Sequence, residues 1–136
     1  MFKENSTTNI TLRDIPLFSE LSIEQLRTIS AFSNLKRFSK GEIPFLEGDI
    51  YKGFFILLKG SVKVYKISKR GKESVMHIVK PLNAFADIPL FEGGNYPVSA
   101  EAIEESLTIL IPKDKFLELI KNQPEVSLKM LAGFAK

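Results

Sequence analysis

Residues 53–67 read GFFILLKGSVKVYKI, and this stretch decides the fold class. Its first half is a continuous apolar run, which is typical of a fully buried strand, and Gly60 marks a turn. In its second half Val62, Val64 and Ile67 alternate with lysines at most positions, which is the pattern of a half-buried strand. The stretch therefore predicts two strands joined by a tight turn.

Further short strands are predicted on both sides of this hairpin. They cover residues 35–39, 43–46, 73–79, 98–102 and 107–111. Pro44 cannot donate a backbone hydrogen bond, so its strand is expected at a sheet edge. Before the strands, Ser22 and Gln25 form a capping-box pattern that opens an amphipathic helix through about residue 32. Short strands at near-regular spacing predict a mainly β fold, a sandwich or a barrel, with flanking helices.

Two more helices are predicted at the C-terminal end. Pro124 suits the first turn of the second of these helices. Its apolar residues Leu128, Leu131 and Phe134 are expected to face inward or toward a partner. Because no stop signal precedes Lys136, we expect the helix to continue in a longer protein.

Length and composition limit the function classes. The 136 residues are 44% hydrophobic and 26% charged, which is ordinary for one globular domain, here preceded by a polar leader over residues 1–10. No apolar run is long enough to span a membrane and no secretory signal core is present, so a cytoplasmic location is expected. The absence of cysteine excludes disulfides, thiolate metal sites and cysteine nucleophiles. The net charge of +3 shows no basic face beyond a cluster within residues 66–72, at a predicted hairpin tip.

His77 is the single histidine of the chain. One imidazole does not supply the several that a metal-dependent cupin needs, and no partner for a serine triad can be named. The sequence therefore predicts neither catalytic residues nor a metal site. In an alternating strand, His77 is expected to be a packed or surface residue.

Residues 83–102, NAFADIPLFEGGNYPVSAEA, form the predicted ligand loop. Two consecutive glycines permit close approach and positive φ, so backbone N–H groups can point at a small polar or anionic ligand. Asp87 has two roles open: it can accept a hydroxyl in a pocket, or cap the short turn that follows it. Tyr96 can line a pocket with its hydroxyl or pack at the exit of the loop.

The order of helix, β-barrel, helix and long terminal helix resembles the cyclic-nucleotide-binding domain. Four stretches carry the resemblance. The opening helix is similar to LRDIPLFSELS from residue 12, and the first hairpin to FSKGEIPFLEGD from residue 38. The central hairpin is similar to FILLKGSVKVY from residue 55, and the phosphate cassette to FADIPLF from residue 85. Among the branches of the family, the chain is most similar to the sensor half of bacterial Crp–Fnr-type transcription regulators. The resemblance implies a jelly-roll β-barrel over residues 11–123 and the start of a dimerisation helix over 124–136. DNA would be bound only through a domain that is absent from this chain.

The resemblance also implies a binding site at the cassette positions. These are Ala86, Asp87, Ile88, Asn95, Tyr96, Pro97, Val98 and Ser99. Members that bind cyclic AMP or cyclic GMP carry Gly-Glu, whose Glu accepts the ribose 2′-hydroxyl, and later an Arg for the phosphate followed by Ser or Thr. Here Ala86-Asp87 stands for Gly-Glu, Tyr96 for the Arg and Pro97 for the Ser or Thr. A lost charge-assisted contact is worth roughly 1.5–3 kcal/mol, so tight cyclic-nucleotide binding is not expected.

The predicted function is thus an effector-sensing regulatory domain with an unknown effector. It would form a homodimer through Leu128, Leu131 and Phe134 of the terminal helix. One alternative is a cyclic-nucleotide-binding module of a channel, a kinase or a stand-alone regulator. Another is a haem-based gas sensor, because some relatives of this fold sense gases through haem, with His77 as the axial ligand.

Overall fold

Seven strands form two antiparallel sheets that share one hydrophobic core. The structure, a computed structural model, describes residues 12–134, with side chains through Gly133. The predicted leader over residues 1–10 and the side chain of Phe134 lie outside the described part. Within it, the prediction of a mainly β fold with flanking helices is confirmed.

The two sheets divide the strands unequally. The first sheet has the order β1-β7-β2-β5 and the second has the order β4-β3-β6. The strands are β1 (Asn34–Phe38), β2 (Gly53–Lys59), β3 (Val62–Ile67), β4 (Glu73–Val79), β5 (Ala84–Phe85), β6 (Ser99–Ala102) and β7 (Ser106–Pro112). Because β2 pairs with both β5 and β7, its backbone is satisfied on both edges.

Strand β2 is buried on both faces, as its continuous apolar run predicts. Successive side chains of a strand point to opposite faces. Phe54 points outward and meets Phe116 edge-on, with the ring centroids 5.4 Å apart. Phe55 points inward and stacks on Phe85, with the centroids 5.2 Å apart. One strand thus joins the helical layer to the barrel interior.

The helices flank the first sheet and cover its ends. They are two 3-10 turns (Leu12–Asp14 and Pro16–Phe18), α1 (Ile23–Phe32), α2 (Ile88–Glu92), α3 (Lys113–Asn122) and α4 (Glu125–Phe134). The predicted capping box opens α1: Ser22 Oγ accepts from the Gln25 N–H at 3.1 Å, and Gln25 Oε1 accepts from the Ser22 N–H at 3.0 Å. No helix within residues 12–134 is long and apolar enough to cross a membrane.

The last helix rests on the N-terminal segment. Val126 and Met130 of α4 are buried. Gly133 lies so close to the backbone of Pro16 and Leu17 that a Cβ there would collide with their carbonyl oxygens. The absence of a side chain at Gly133 therefore sets how closely α4 approaches the 3-10 turn.

One local prediction is wrong, and two features of the structure were not predicted. Residues 43–46 form a single bridge between Phe45 and Ala100, not a strand, because Pro44 lacks an N–H and the Leu46 N–H is bound by the Asp49 carboxylate. The two-residue strand β5 was not predicted, since two residues are too few to show an alternation. In β4 residues 73–78 are all exposed, because the strand lies at the edge of its sheet.

A buried polar network joins α1 to the C-terminal helices through Gln25. This side chain is only 4% exposed. Its amide nitrogen donates to Gln123 Oε1 at 3.0 Å and to Glu125 Oε2 at 3.3 Å. Its Oε1 accepts from Lys129 Nζ at 3.2 Å as well as from the Ser22 N–H. Every hydrogen-bonding atom of the Gln25 amide is thus engaged with another element or with the helix cap.

We expect Gln25→Ala to lower the free energy of unfolding by about 1–3 kcal/mol, because buried donors and acceptors lose their partner. Urea denaturation measures the change. Arg27→Ala is the matched control, since Arg27 is exposed on the same helix. An equal loss in both variants, or no loss in Gln25→Ala, would contradict a structural role for the network.

Candidate ligand-binding cassette

The predicted ligand loop folds back between the two sheets. It runs from β5 through α2 and an extended segment into β6. Between β5 and α2, Ala86 has φ 63°, in the left-handed region. A residue with a Cβ pays about 1–2 kcal/mol for this conformation, whereas glycine adopts it freely. The surrounding contacts must therefore hold Ala86 in place.

Tyr51 supplies one of those contacts. Its ring is buried, and its hydroxyl donates to the Ala86 carbonyl at 2.6 Å. Burial raises the pKa of Tyr51 far above its usual range, and the nearby Tyr96 and Asp87 raise it further. The hydroxyl therefore stays protonated and remains a donor.

Asp87 lies at the N-cap position of α2, but its side chain makes no capping hydrogen bond. It is half-buried. Of the two roles that the sequence leaves open for Asp87, the capping role is met in position only, because the side chain does not make the capping hydrogen bond. The carboxylate has no hydrogen-bond donor among residues 12–134, so it can accept a bond from a ligand.

Tyr96 points into the core, with 5% of its surface exposed. Its hydroxyl donates to the Gly53 carbonyl at 2.8 Å and accepts from the Lys52 N–H at 3.4 Å. Its backbone N–H donates to the Asp49 carbonyl, and its own carbonyl accepts from the Gly48 N–H. Burial raises the pKa of the hydroxyl, so it also remains a donor.

The other predicted site residues divide into two groups. Asn95 Nδ2 donates to the Gly48 carbonyl at 3.1 Å, and Ser99 Oγ accepts from the Glu47 N–H at 2.8 Å. Both side chains thus hold the loop over residues 46–50 against the cassette. Ile88 and Pro97 are exposed and Val98 is half-buried.

Six rings fill the space beneath the cassette, and we call them the aromatic cluster. Phe45 and Tyr96 are nearly parallel, with centroids 4.0 Å apart and planes 9° apart. Tyr51 lies 4.8 Å from Tyr96, while Phe45 stacks on Phe55 at 5.8 Å. Such pairs are worth about 0.5–1.5 kcal/mol each beyond the area they bury. The members are Phe38, Phe45, Tyr51, Phe55, Phe85 and Tyr96.

Sequence reasoning missed most of this cluster. Only Tyr96 was singled out as a candidate site residue. The signal that existed was the aromatic residues Phe45 and Tyr51 in the loop before β2 and Phe85 at the start of the predicted ligand loop.

Residues 35–123 match the family described as "Cyclic nucleotide-binding domain". The chain belongs to this family. The match runs from β1 to the end of α3 and includes the whole cassette.

Relatives of this cyclic nucleotide-binding domain include a receptor protein and a regulatory protein by name. The "Cyclic AMP receptor protein" of Thermus thermophilus is 22% identical over 125 residues, which cover 92% of this chain and 58% of the relative. The "Fumarate and nitrate reduction regulatory protein" of Salmonella typhi is 28% identical over 115 residues, covering 83% and 44%. The chain thus spans about half the length of the curated relatives it matches.

A solved structure agrees closely with the fold. The sensor domain of the transcriptional regulator DNR from Pseudomonas aeruginosa is 28% identical, with a TM-score of 0.81, and the match covers 91% of this chain and 83% of that one. The predicted resemblance to the sensor half of Crp–Fnr-type regulators is confirmed.

His77 lies on the exposed edge strand β4, opposite Val64. It is a surface residue in this cyclic nucleotide-binding domain. The described residues contain no group of three metal-ligating side chains.

We expect Tyr51→Phe to lower the free energy of unfolding by about 1 kcal/mol, because the strained turn at Ala86 loses its hydrogen bond. Tyr65→Phe is the matched control: its ring is equally buried, and its hydroxyl has no hydrogen-bond partner among residues 12–134. Thermal or urea unfolding of both variants measures the difference. Equal stability of the two would show that the bond does not hold the turn.

Proposed function

We propose that the chain is the effector-sensing domain of a Crp–Fnr-type transcription regulator whose cassette does not bind cyclic AMP tightly. The observation that carries this proposal is the position of Tyr96. By the resemblance, Tyr96 takes the place of the phosphate-binding Arg of nucleotide-binding members, and its buried ring stacks within the aromatic cluster. Pro97, where those members carry Ser or Thr, lacks a backbone donor.

The charge of the cassette supports the same proposal. Residues 84–102 contain three carboxylates, Asp87, Glu92 and Glu101, and no Lys, Arg or His. A cyclic phosphate is an anion, and charge-assisted hydrogen bonds are the strong contacts to it. The cassette itself offers no cation for such a contact.

The hydrogen bonds of the cassette support it as well. The side chains of Asn95, Tyr96 and Ser99 are bound to backbone groups of the loop over residues 47–53. A ligand that recruited them would first have to break these bonds, and each net bond is worth about 1 kcal/mol. Asp87 remains the acceptor best placed to meet an effector.

We expect the affinity for cyclic AMP to be about ten- to a hundred-fold lower than that of a cassette that makes a charge-assisted contact with the phosphate. Isothermal titration measures the affinity, with adenosine as the matched ligand that lacks the phosphate. Similar weak affinities for the two ligands support the proposal. Submicromolar binding of cyclic AMP, or a marked preference for it over adenosine, would overturn it.

A second part of the proposal concerns assembly. Leu128 and Leu131 are 69% and 62% exposed on α4, one turn apart, while Val126 and Met130 are buried against the domain. The helix thus carries a second apolar stripe that points away from its own core. We propose that this stripe, with Phe134, pairs two copies of the chain, and that DNA contact and a cytoplasmic location belong to the longer regulator. The longer relatives, which are named as regulators rather than enzymes, support this part.

We expect Leu128→Glu with Leu131→Glu to convert a dimer to a monomer, because two buried charges would face each other across a symmetric interface. Sedimentation velocity over a concentration series measures the mass. Ile67→Glu is the control, since Ile67 is an exposed apolar residue on β3. A monomeric starting protein, or dissociation by the control as well, would contradict the assignment.

A further inference from the structure

A groove of about 590 Å³ opens beside β1, β2 and β7, against the loop over residues 44–52. One wall is the loop that carries Pro44, Asp49 and Ile50. The opposite wall is formed by Lys36 of β1 and Leu110 of β7. Its volume is within the range of sites that bind small molecules.

The floor of the groove is made by four rings of the aromatic cluster. Phe38, Phe45, Phe55 and Tyr96 all reach it. At the rim, Ile50 leaves 78% of its surface in water. Phe45, Phe55 and Tyr96 expose only 4–5% of their surface and Phe38 is half-buried, so a planar apolar body placed in the groove would pack mainly on Phe38 and Ile50.

Two lysines give the groove its charge. The ammonium groups of Lys36 and Lys52 have no hydrogen bond or ion pair with any other group in residues 12–134. The third charged side chain of the lining is Asp49, whose carboxylate accepts from the Leu46 N–H at 2.9 Å. The lining therefore has one net positive charge, and its cations are available to an anion.

We infer that this groove is a binding site for an aromatic carboxylate, that is, a planar apolar ligand with one anionic end. The apolar side chains of the groove accept the planar body, and Lys36 and Lys52 bind the carboxylate. A uniformly polar anion would leave Phe38 and Ile50 uncovered, and a neutral aromatic molecule would leave both cations unpaired. The groove shares Tyr96 with the cassette and contains none of the other cassette positions.

Tyr96 gives the groove a connection to the cassette. The same ring lines the groove, stacks on Phe45 and bonds to the Gly53 carbonyl. A ligand on the floor therefore contacts the residue that closes the exit of the cassette. The claim that the ligand of the groove is an effector rests on the proposed sensor function. The claim that the groove binds an aromatic carboxylate does not.

Amide chemical-shift titration of the isotope-labelled chain tests the inference, with naphthoate as the probe and neutral naphthamide as the matched ligand. We expect naphthoate to shift residues 36–38 and 44–52 first, and naphthamide to bind roughly tenfold more weakly, because it lacks the charge-assisted contact. Shifts that concentrate on α2 or β4, or equal affinities for the two probes, would overturn the inference.

The double variant Lys36→Gln with Lys52→Gln should weaken naphthoate binding roughly tenfold or more and leave naphthamide unchanged. Both lysines are exposed, so dispersed amide spectra are expected for the folded variant. Lys66→Gln with Lys69→Gln removes the same charge at the hairpin end of β3 and should leave both affinities unchanged. Equal weakening by the two double variants would show that only net charge matters and would overturn the site. Neither result alters the cyclic AMP or dimer experiments, so the two proposals can fail separately.

Discussion

The parallel stacking of Phe45 on Tyr96 is the contact on which the barrel interior depends. Phe45 comes from the loop before β2 and Tyr96 from the exit of the cassette, 51 residues later. The two rings lie 4.0 Å apart, and the backbone on both sides of Tyr96 is bound to the same loop. Because two sheets of three and four strands leave a space between their faces, something must fill it. In this chain the protein's own rings do so, and the left-handed turn at Ala86 is held against them.

Much of the fold could be predicted from local patterns. The continuous run of β2 and the capping box at Ser22 depend on neighbours within a few residues, and both are present. The alternation in β3 holds only from Val62 to Val64, because the register shifts there and Tyr65 is buried while Ile67 is exposed. The failures have physical reasons of another kind. Residues 43–46 look like a strand, but the Leu46 N–H donates to the Asp49 carboxylate and the next N–H, of Glu47, donates to Ser99 Oγ. A hydrophobic pattern does not show this competition for backbone donors. The left-handed conformation of Ala86 could not be predicted either, because alanine rarely adopts it and so gives no sequence signal for it.

The candidate site could be located but its contents could not. Its position followed from the segment of residues 83–102, whereas the aromatic cluster joins residues from five separate stretches. The roles of Asn95 and Ser99 depend on partners about 50 residues away, so only the folded chain shows that they bind backbone groups. Membership of the cyclic nucleotide-binding domain family fixes the architecture and not the ligand, because function depends on the side chains of the site. In this chain the same scaffold carries a cassette that contains no cationic side chain and a groove that contains two, Lys36 and Lys52.

The close contact of Gly133 with the backbone of Pro16 and Leu17 has a mechanical consequence. Because no side chain separates the two backbones, they cannot approach each other further. Helix α4 and the N-terminal 3-10 turn are therefore expected to move together. Gln25 holds the N-terminal end of the same helix through Glu125 and Lys129. A rotation of α4 about its own axis would pass the wider side chains of the helix under the turn and lift it from the sheet. Sliding of α4 along its axis would likewise remove Gly133 from this contact, so the glycine sets one position for the helix against the turn.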